Sequence, residues 1–286
     1  MKFIKMHGAG NDYVYVNCFA ETVPDREKTA IAVSDRHFGI GGDGLICVDP
    51  SDVADCKMDM YNADGSRGKM CGNGVRCVAK LAYDAGIARK KEISVETLSG
   101  IKYITAITDS DGNMTGARVN MGAPILTPAE IPALYDGARA VAVPLEVCGE
   151  TVPVTLVSMG NPHCVVYVDD VQTLEIEKVG VQYEHHPKFP DRINTEFIHI
   201  INDKELDMRV WERGSGETLA CGTGTCAAVV ASILNGYCKQ DTDIKVNLLG
   251  GVLYINWSSA DNNVYMTGPA ETVFTGEYDL GKVSKA

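Results

Sequence analysis

The chain has 286 residues, 45% of them hydrophobic and 22% charged. That is the composition of a globular protein long enough for two domains of roughly 100–150 residues each. Its formal net charge is −12, with the 26 Lys and Arg scattered along the chain. This excludes nucleic acid and anionic membranes as partners, because no basic stripe exists to release counterions.

The N-terminal run MKFIKMHGAGNDYVYV lacks the apolar core of a secretory signal, and no window approaches the ~20 apolar residues of a membrane helix. The expected location is the cytoplasm. Apolar–polar alternation predicts strands at FIKM and YVYV, and PDREKTAIAVSDRH predicts a helix over 25–36, opened by Pro and acids and closed before Gly39. LICVD reads as a strand. A Gly-rich turn then leads into a helix over 73–83, with Val75, Val78, Ala79 and Ala82 on one face and Gly86 as its stop. A hairpin follows at 93–104. Strand patterns return at VPVTLV and CVVYV, a second helix is predicted over 223–234 with Gly236 as its stop, and a second hairpin falls at 244–255.

These elements repeat. Cys71 opens CGNG and Cys221 opens CGTG, an offset of 150. At the same offset Gly10-Asn11 answers Gly160-Asn161, Tyr61-Asn62 answers Trp211-Glu212, and Gly86 answers Gly236. One residue out of phase, ISVETLSGIKYI answers IKVNLLGGVLYI. Such a period is too long for a solenoid and fits a duplicated domain. The expected fold is α+β: two pseudo-symmetric domains, each a mostly antiparallel sheet wrapped around a long central helix, with the active site in the cleft between them. The expected halves are 1–117, carrying Cys71, and 118–262, carrying Cys221, with 263–286 packing back on the first.

Ten cysteines in a cytoplasmic chain are expected to be thiols rather than a disulfide framework. With no C-x-x-C anywhere, neither a metal site nor a thiol–disulfide redox protein is expected. A cysteine just before a helix sits against unsatisfied N–H groups and the positive helix end, which lowers its pKa from about 8.5. A substrate carboxylate between two such helix starts would be held by the amides of Gly72-Asn73 and Gly222-Thr223. Its α-carbon would then lie between two sulfurs, one removing a proton and the other returning one to the opposite face. That chemistry inverts a stereocentre without any cofactor. Electrostatic preorganisation and exclusion of water must supply most of the acceleration.

Seven segments, KMHGAGNDY, DRHFGIGGDG, MYNADGS, MCGNGVRC, GNPHC, RINTEF and ERGSGETLACGTG, occur in order across nearly the whole chain and resemble the diaminopimelate epimerase family. The resemblance implies an isomerase acting on LL- and meso-diaminopimelate in lysine and peptidoglycan-precursor biosynthesis, without cofactor or metal, and forming a homodimer. It implies that Cys71 works with His163 and Cys221 with Glu212. It assigns recognition of the distal amino-acid head to Asn62, Asn161, Asn194 and Arg213, with Asn11 and Glu212 also lining the pocket. Arg213 is suited to a distal carboxylate by its bidentate fork. One position departs from a common family pattern: Gly44 stands where many members have Gln. The other readings are a racemase or epimerase for histidine, proline or hydroxyproline, and a non-catalytic amino-acid-binding protein. The second head favours diaminopimelate over the former, and two retained thiols argue against the latter.

Overall fold

The structure, a computed structural model, describes residues 1–281. It divides into two compact units, one of residues 1–119 together with the chain from Thr267 on, the other Asn120–Met266. The described residues form four α-helices and strands that pair both parallel and antiparallel, an α+β architecture with mixed sheet.

In the first unit β1 (Lys2–Gly8) and β2 (Asn11–Asn17) form a hairpin. Helix α1 (Arg26–Ser34) follows, with Asp25 as its N-cap. The predicted helix was longer; it stops at Ser34 because the Asp35 carboxylate accepts the N–H groups of His37 and Phe38, at 2.7 and 2.8 Å, and turns the chain. β3 (Gly44–Asp49) lies parallel to β2 and antiparallel to β4 (Cys56–Asn62). The short β5 (Arg67–Gly68) leads into α2 (Gly72–Asp84), which packs on β1, β2, β3 and β4. β6 (Glu92–Thr97), β7 (Gly100–Thr108) and β8 (Met114–Gly122) complete the run, β8 ending in the second unit.

The second unit continues with β9 (Val143–Val147), β10 (Glu150–Ser158), β11 (Pro162–Tyr167) and α3 (Ile176–Glu184). β12 (Asn194–Asn202), β13 (Glu205–Glu212) and β14 (Gly216–Thr218) precede α4 (Gly222–Leu234), and β15 (Ile244–Leu248) and β16 (Gly251–Trp257) form the second hairpin. β17 (Val264–Pro269) carries the chain back to the first unit, where β18 (Glu271–Glu277) pairs antiparallel with β1.

The pairing registers recur between the units. Tyr15 opposes Ile46, and Val165 opposes Glu196. Ile46 opposes Met60, and Glu196 opposes Val210; Met60 opposes Gly68, and Val210 opposes Thr218. Every one of these partners is higher by 150 in the second unit. The hairpins match one residue out of phase, Ile93 with Ile104 and Ile244 with Ile255.

Helix α3 has no counterpart in the sequence reading. Its middle residue, Gly180, is a poor helix former, and the helix is held by tertiary contact. A Cβ at Gly180 would lie 2.5 Å from the Trp211 indole, so glycine is what lets the helix reach the sheet. Trp211 Nε1–H also donates to the buried Glu184 carboxylate at 2.7 Å. Gly180→Ala is therefore expected to destabilise the chain by about 1–3 kcal/mol despite its gain in helix propensity, read as a lower urea midpoint at unchanged slope.

Candidate active site

Each unit carries one of the two cysteines. Cys71 is the N-cap of α2: its backbone is extended and its Sγ accepts the Gly74 N–H at 3.3 Å. Gly72 and Asn73 open the helix and are buried. The thiol donates to Asn11 Oδ1 at 3.1 Å. Asn11 is turned that way because its Nδ2 donates to Asp43 Oδ2 at 2.8 Å, and the same oxygen accepts the Asp12 N–H at 3.1 Å. Burial and the neighbouring Asp12 push the Asp43 carboxyl above its ordinary range. Arg36 bridges Asp12 and Asp43 at 2.9 and 3.0 Å. Asn62 ends β4 with its Nδ2 donating to Ser66 Oγ at 2.9 Å. Gly44 faces Asn62 so closely that a Cβ would lie 2.1 Å from the Tyr61 carbonyl oxygen. A Gln there would force the backbone to move, which accounts for the departure at this position.

Cys221 repeats the capping geometry at α4, its Sγ accepting the Gly224 N–H at 3.4 Å with Thr223 Oγ1 at 3.5 Å. Gly222, the first helical residue, is buried. Glu212, at the end of β13, accepts from Thr218 Oγ1 at 2.5 Å, and its charge bears on the Cys221 thiol. Burial raises the Glu212 carboxyl, partly offset by Thr218 and His163. His163 lies in β11 with no exposed surface; its Nδ1 is 2.7 Å from Glu196 Oε1 and its Nε2 is 3.1 Å from Asn161 Oδ1. Asn194 joins two backbone segments, donating to the Pro162 carbonyl at 2.8 Å and accepting the Arg213 N–H at 3.0 Å. The Arg213 guanidinium is exposed and donates through Nη1 to the Asp191 carbonyl at 3.0 Å, leaving its other N–H groups for a ligand.

Among the expected residues, Asn11, Gly72 and Asn73 thus gather with Cys71. Glu212, Gly222 and Thr223 gather around Cys221, Asn161 and His163 pair with each other beside Glu196, and Asn194 holds the Arg213 backbone. One expectation is corrected. Cys221 does not have a lowered pKa: burial, and then the charges of Glu212 and Glu196, push its thiol well above the ordinary value. A helix end contributes about 0.3–1 kcal/mol, too little against burial beside two carboxylates.

Three further polar residues escaped the sequence reading: Asp43, Thr218 and Glu196. The signal for Glu196 was present, since it is the lone acid in the apolar run INTEFIHI. Among the described residues no group of three or more His, Cys, Asp or Glu is placed to hold a metal ion, and no helix is long and apolar enough to cross a membrane.

The family model for diaminopimelate epimerase matches residues 3–127 and 155–273. The chain belongs to the diaminopimelate epimerase family. A diaminopimelate epimerase of Acetivibrio thermocellus is 54% identical, covering 99% of this chain and 100% of that one. Its namesake from Methanococcus maripaludis is 49% identical over 98% of this chain and 100% of its own. Similar folds occur in solved structures of lower identity. A probable proline racemase from Agrobacterium radiobacter has a TM-score of 0.71 at 15% identity, covering 98% of this chain and 93% of that one. A hydroxyproline epimerase from Agrobacterium vitis has a TM-score of 0.70 at 15% identity, covering 96% and 91%. At such identity these two show the fold alone.

The raised thiol has a direct readout. Iodoacetamide labelling of Cys221, followed by peptide mapping, is expected to reach half its maximal rate above the pH typical of a free thiol, about 8.5. Glu212→Gln removes one of the two charges and is expected to move that midpoint down. A midpoint below about 8 in the unsubstituted family member would contradict the assigned electrostatics.

Proposed function

We propose that this epimerase inverts one α-carbon of 2,6-diaminopimelate, interconverting the LL and meso isomers by a two-base mechanism in which Cys71 and Cys221 exchange the α-proton. The observation that carries this reading is the repetition of one capping geometry, a cysteine sulfur accepting the N–H of the third helical residue, at positions 150 apart. Binding alone needs neither sulfur. The recurring strand registers support descent of both halves from one duplicated domain, 1–117 with 263–286 and 118–262.

One thiolate takes the α-proton, the carbanion is held by its neighbouring helix amides, and the other thiol delivers a proton to the opposite face. For the reverse direction the roles exchange. Glu212 is the proton acceptor for Cys221, and His163 serves Cys71. The substrate carboxylate is bound by the amides of Gly72, Asn73, Gly222 and Thr223, with Asn11, Asn62, Asn161 and Asn194 directing the amino-acid heads. Arg213 takes the distal carboxylate. The reaction requires no cofactor, since thiol and thiolate supply both proton transfers. The enzyme acts in the cytoplasm as a homodimer, in the supply of lysine and peptidoglycan precursors.

The deciding experiment is proton NMR of the reduced protein with LL-diaminopimelate in D₂O. The meso isomer carrying deuterium at one α-carbon is the expected product; no exchange under reducing conditions would overturn the reading. Cys71→Ala and Cys221→Ala are each expected to lower kcat at least about 10³-fold while substrate still protects the protein against thermal unfolding. Full turnover by either variant would remove the two-base mechanism. Arg213→Ala is expected to raise KM for diaminopimelate by about 10-fold or more, from loss of a charge-assisted pair. Light scattering at twice 30.8 kDa is the expected result for the homodimer.

The raised Glu212 carboxyl also sets a stability trend. In the unfolded chain Glu212 ionises near pH 4.5, whereas in the folded chain it holds its proton to a higher pH. Between those values the folded state binds more protons, so stability falls as pH rises through the window. Glu212→Gln is expected to flatten that fall and to be more stable than the parent at neutral pH, with activity lost. Calorimetric Tm values across about pH 4–8 check this.

A further inference from the structure

The two units place different residues at one structural position. Ile46 and Glu196 occupy the same register, each opposite its β2/β11 and β4/β13 neighbours. Each also lies against the third residue of the helix that its cysteine caps. A Cβ on Gly74 would come 2.9 Å from Ile46 Cδ1, and one on Gly224 would come 2.4 Å from Glu196 Oε1. Both side chains have no exposed surface. The joint between sheet and helix is therefore built as readily with an apolar side chain as with an acid. A carboxylate buried there costs several kcal/mol unless it is paired, so packing gives no reason for Glu196.

Its partner gives one. Glu196 Oε1 lies 2.7 Å from His163 Nδ1, while Oε2 takes no hydrogen bond from the described residues. At the position of His163 the first unit has Tyr13. Acid and imidazole thus occur together in one half and are absent together from the other. The titratable groups around the ring are Glu196 from β12 and Glu212 from β13, and Cys221 at the start of α4 lies beside both carboxylates.

We propose that Glu196 is a positioning residue that keeps the His163 proton on Nδ1 and fixes the ring plane, making Nε2 the nitrogen that exchanges a proton with the active site. A carboxylate accepts and cannot donate, so it selects the Nδ1–H form of the ring. When Nε2 takes a proton, the buried carboxylate balances the imidazolium that forms, as an acid behind a catalytic histidine does in other enzymes. The Asn161 side chain, 3.1 Å from Nε2, responds by presenting its amide to a bare Nε2 and its carbonyl to a protonated one. The proposal rests on the reading that His163 serves the epimerisation, and it assigns the residue behind it.

The test reads the ring directly. Long-range ¹H–¹⁵N NMR of protein labelled at histidine, with His163 assigned through His163→Gln, is expected to show a protonated Nδ1 at every pH between about 6 and 9. A bare Nδ1 with protonated Nε2 would overturn the proposal, whether or not the protein turns over diaminopimelate. Glu196→Gln can donate as well as accept, and is expected to release the tautomer toward Nε2–H. It should lower kcat about 10²-fold, within the 10–100-fold typical of an outer-shell partner, with KM changed less than about threefold. Glu196→Asp, which keeps the charge, is expected to restore the Nδ1–H signal and part of kcat. Unaltered kcat and ring signals in folded Glu196→Gln would show that the carboxylate is structural only. Where Glu196→Gln does not fold, the ring signals of the unsubstituted protein still decide the question. An inactive wild-type protein with the expected ring signals would instead count against the epimerase reading and leave the positioning intact.

Discussion

Everything at the two cysteines depends on how closely a helix start approaches the sheet beneath it. A sulfur serves as N-cap only if the third helical residue brings its N–H within reach, and in both units that residue is glycine, pressed against the middle of a strand. At Gly74 the obstacle to any side chain is Ile46, and at Gly224 it is Glu196. Close approach fixes where each helix starts, and with it where the capping sulfur sits. The placement of both sulfurs thus follows from one packing constraint.

Sharing a frame has not made the halves chemically alike. The first unit surrounds its thiol with a neutral acceptor, Asn11, whose carbonyl is turned inward by the Asp43 carboxylate. The second places the charges of two acids, Glu212 and Glu196, near its thiol, the latter hydrogen-bonded to His163. Tyr13, Ile46 and Asn62 stand where His163, Glu196 and Glu212 stand 150 residues later. A strictly symmetric pair of bases would carry two equal sets of charges. Acids bear directly on the sulfur in the second unit, whereas in the first the Asp43 carboxylate acts on the sulfur through the Asn11 amide.

Much of this was legible in the chain because glycine and cysteine mark backbone geometry that few residues can replace. The 150-residue offset was visible in Cys71 and Cys221, Gly86 and Gly236, Asn11 and Asn161, and both capped helices begin within a residue of where the turn signals place them. The residues that escaped are those whose role depends on partners distant in sequence. Glu196 becomes meaningful only once β11 is known to run parallel beside β12, which brings His163 and the acid together across 33 residues. Helix α3 escaped because Gly180 weakens its local signal, while the Trp211 ring that holds it lies 31 residues on. The direction of the Cys221 shift was misread for a related reason. Helix ends are visible in sequence, whereas burial beside two carboxylates is a property of the folded chain.

The raised Cys221 thiol bears on the reactivity of its sulfur. A preformed thiolate is the reactive species toward oxidants and alkylating agents. Burial and adjacent acids hold Cys221 as the thiol, and its deprotonation costs about 1.4 kcal/mol for every tenfold loss of acidity. That cost is offset only when something else enters the pocket. An amino-acid substrate brings an α-ammonium group, whose positive charge counters Glu212 and stabilises a thiolate in the same low-dielectric space. Charge placement around one cysteine thus sets both its protection from oxidants and its basicity.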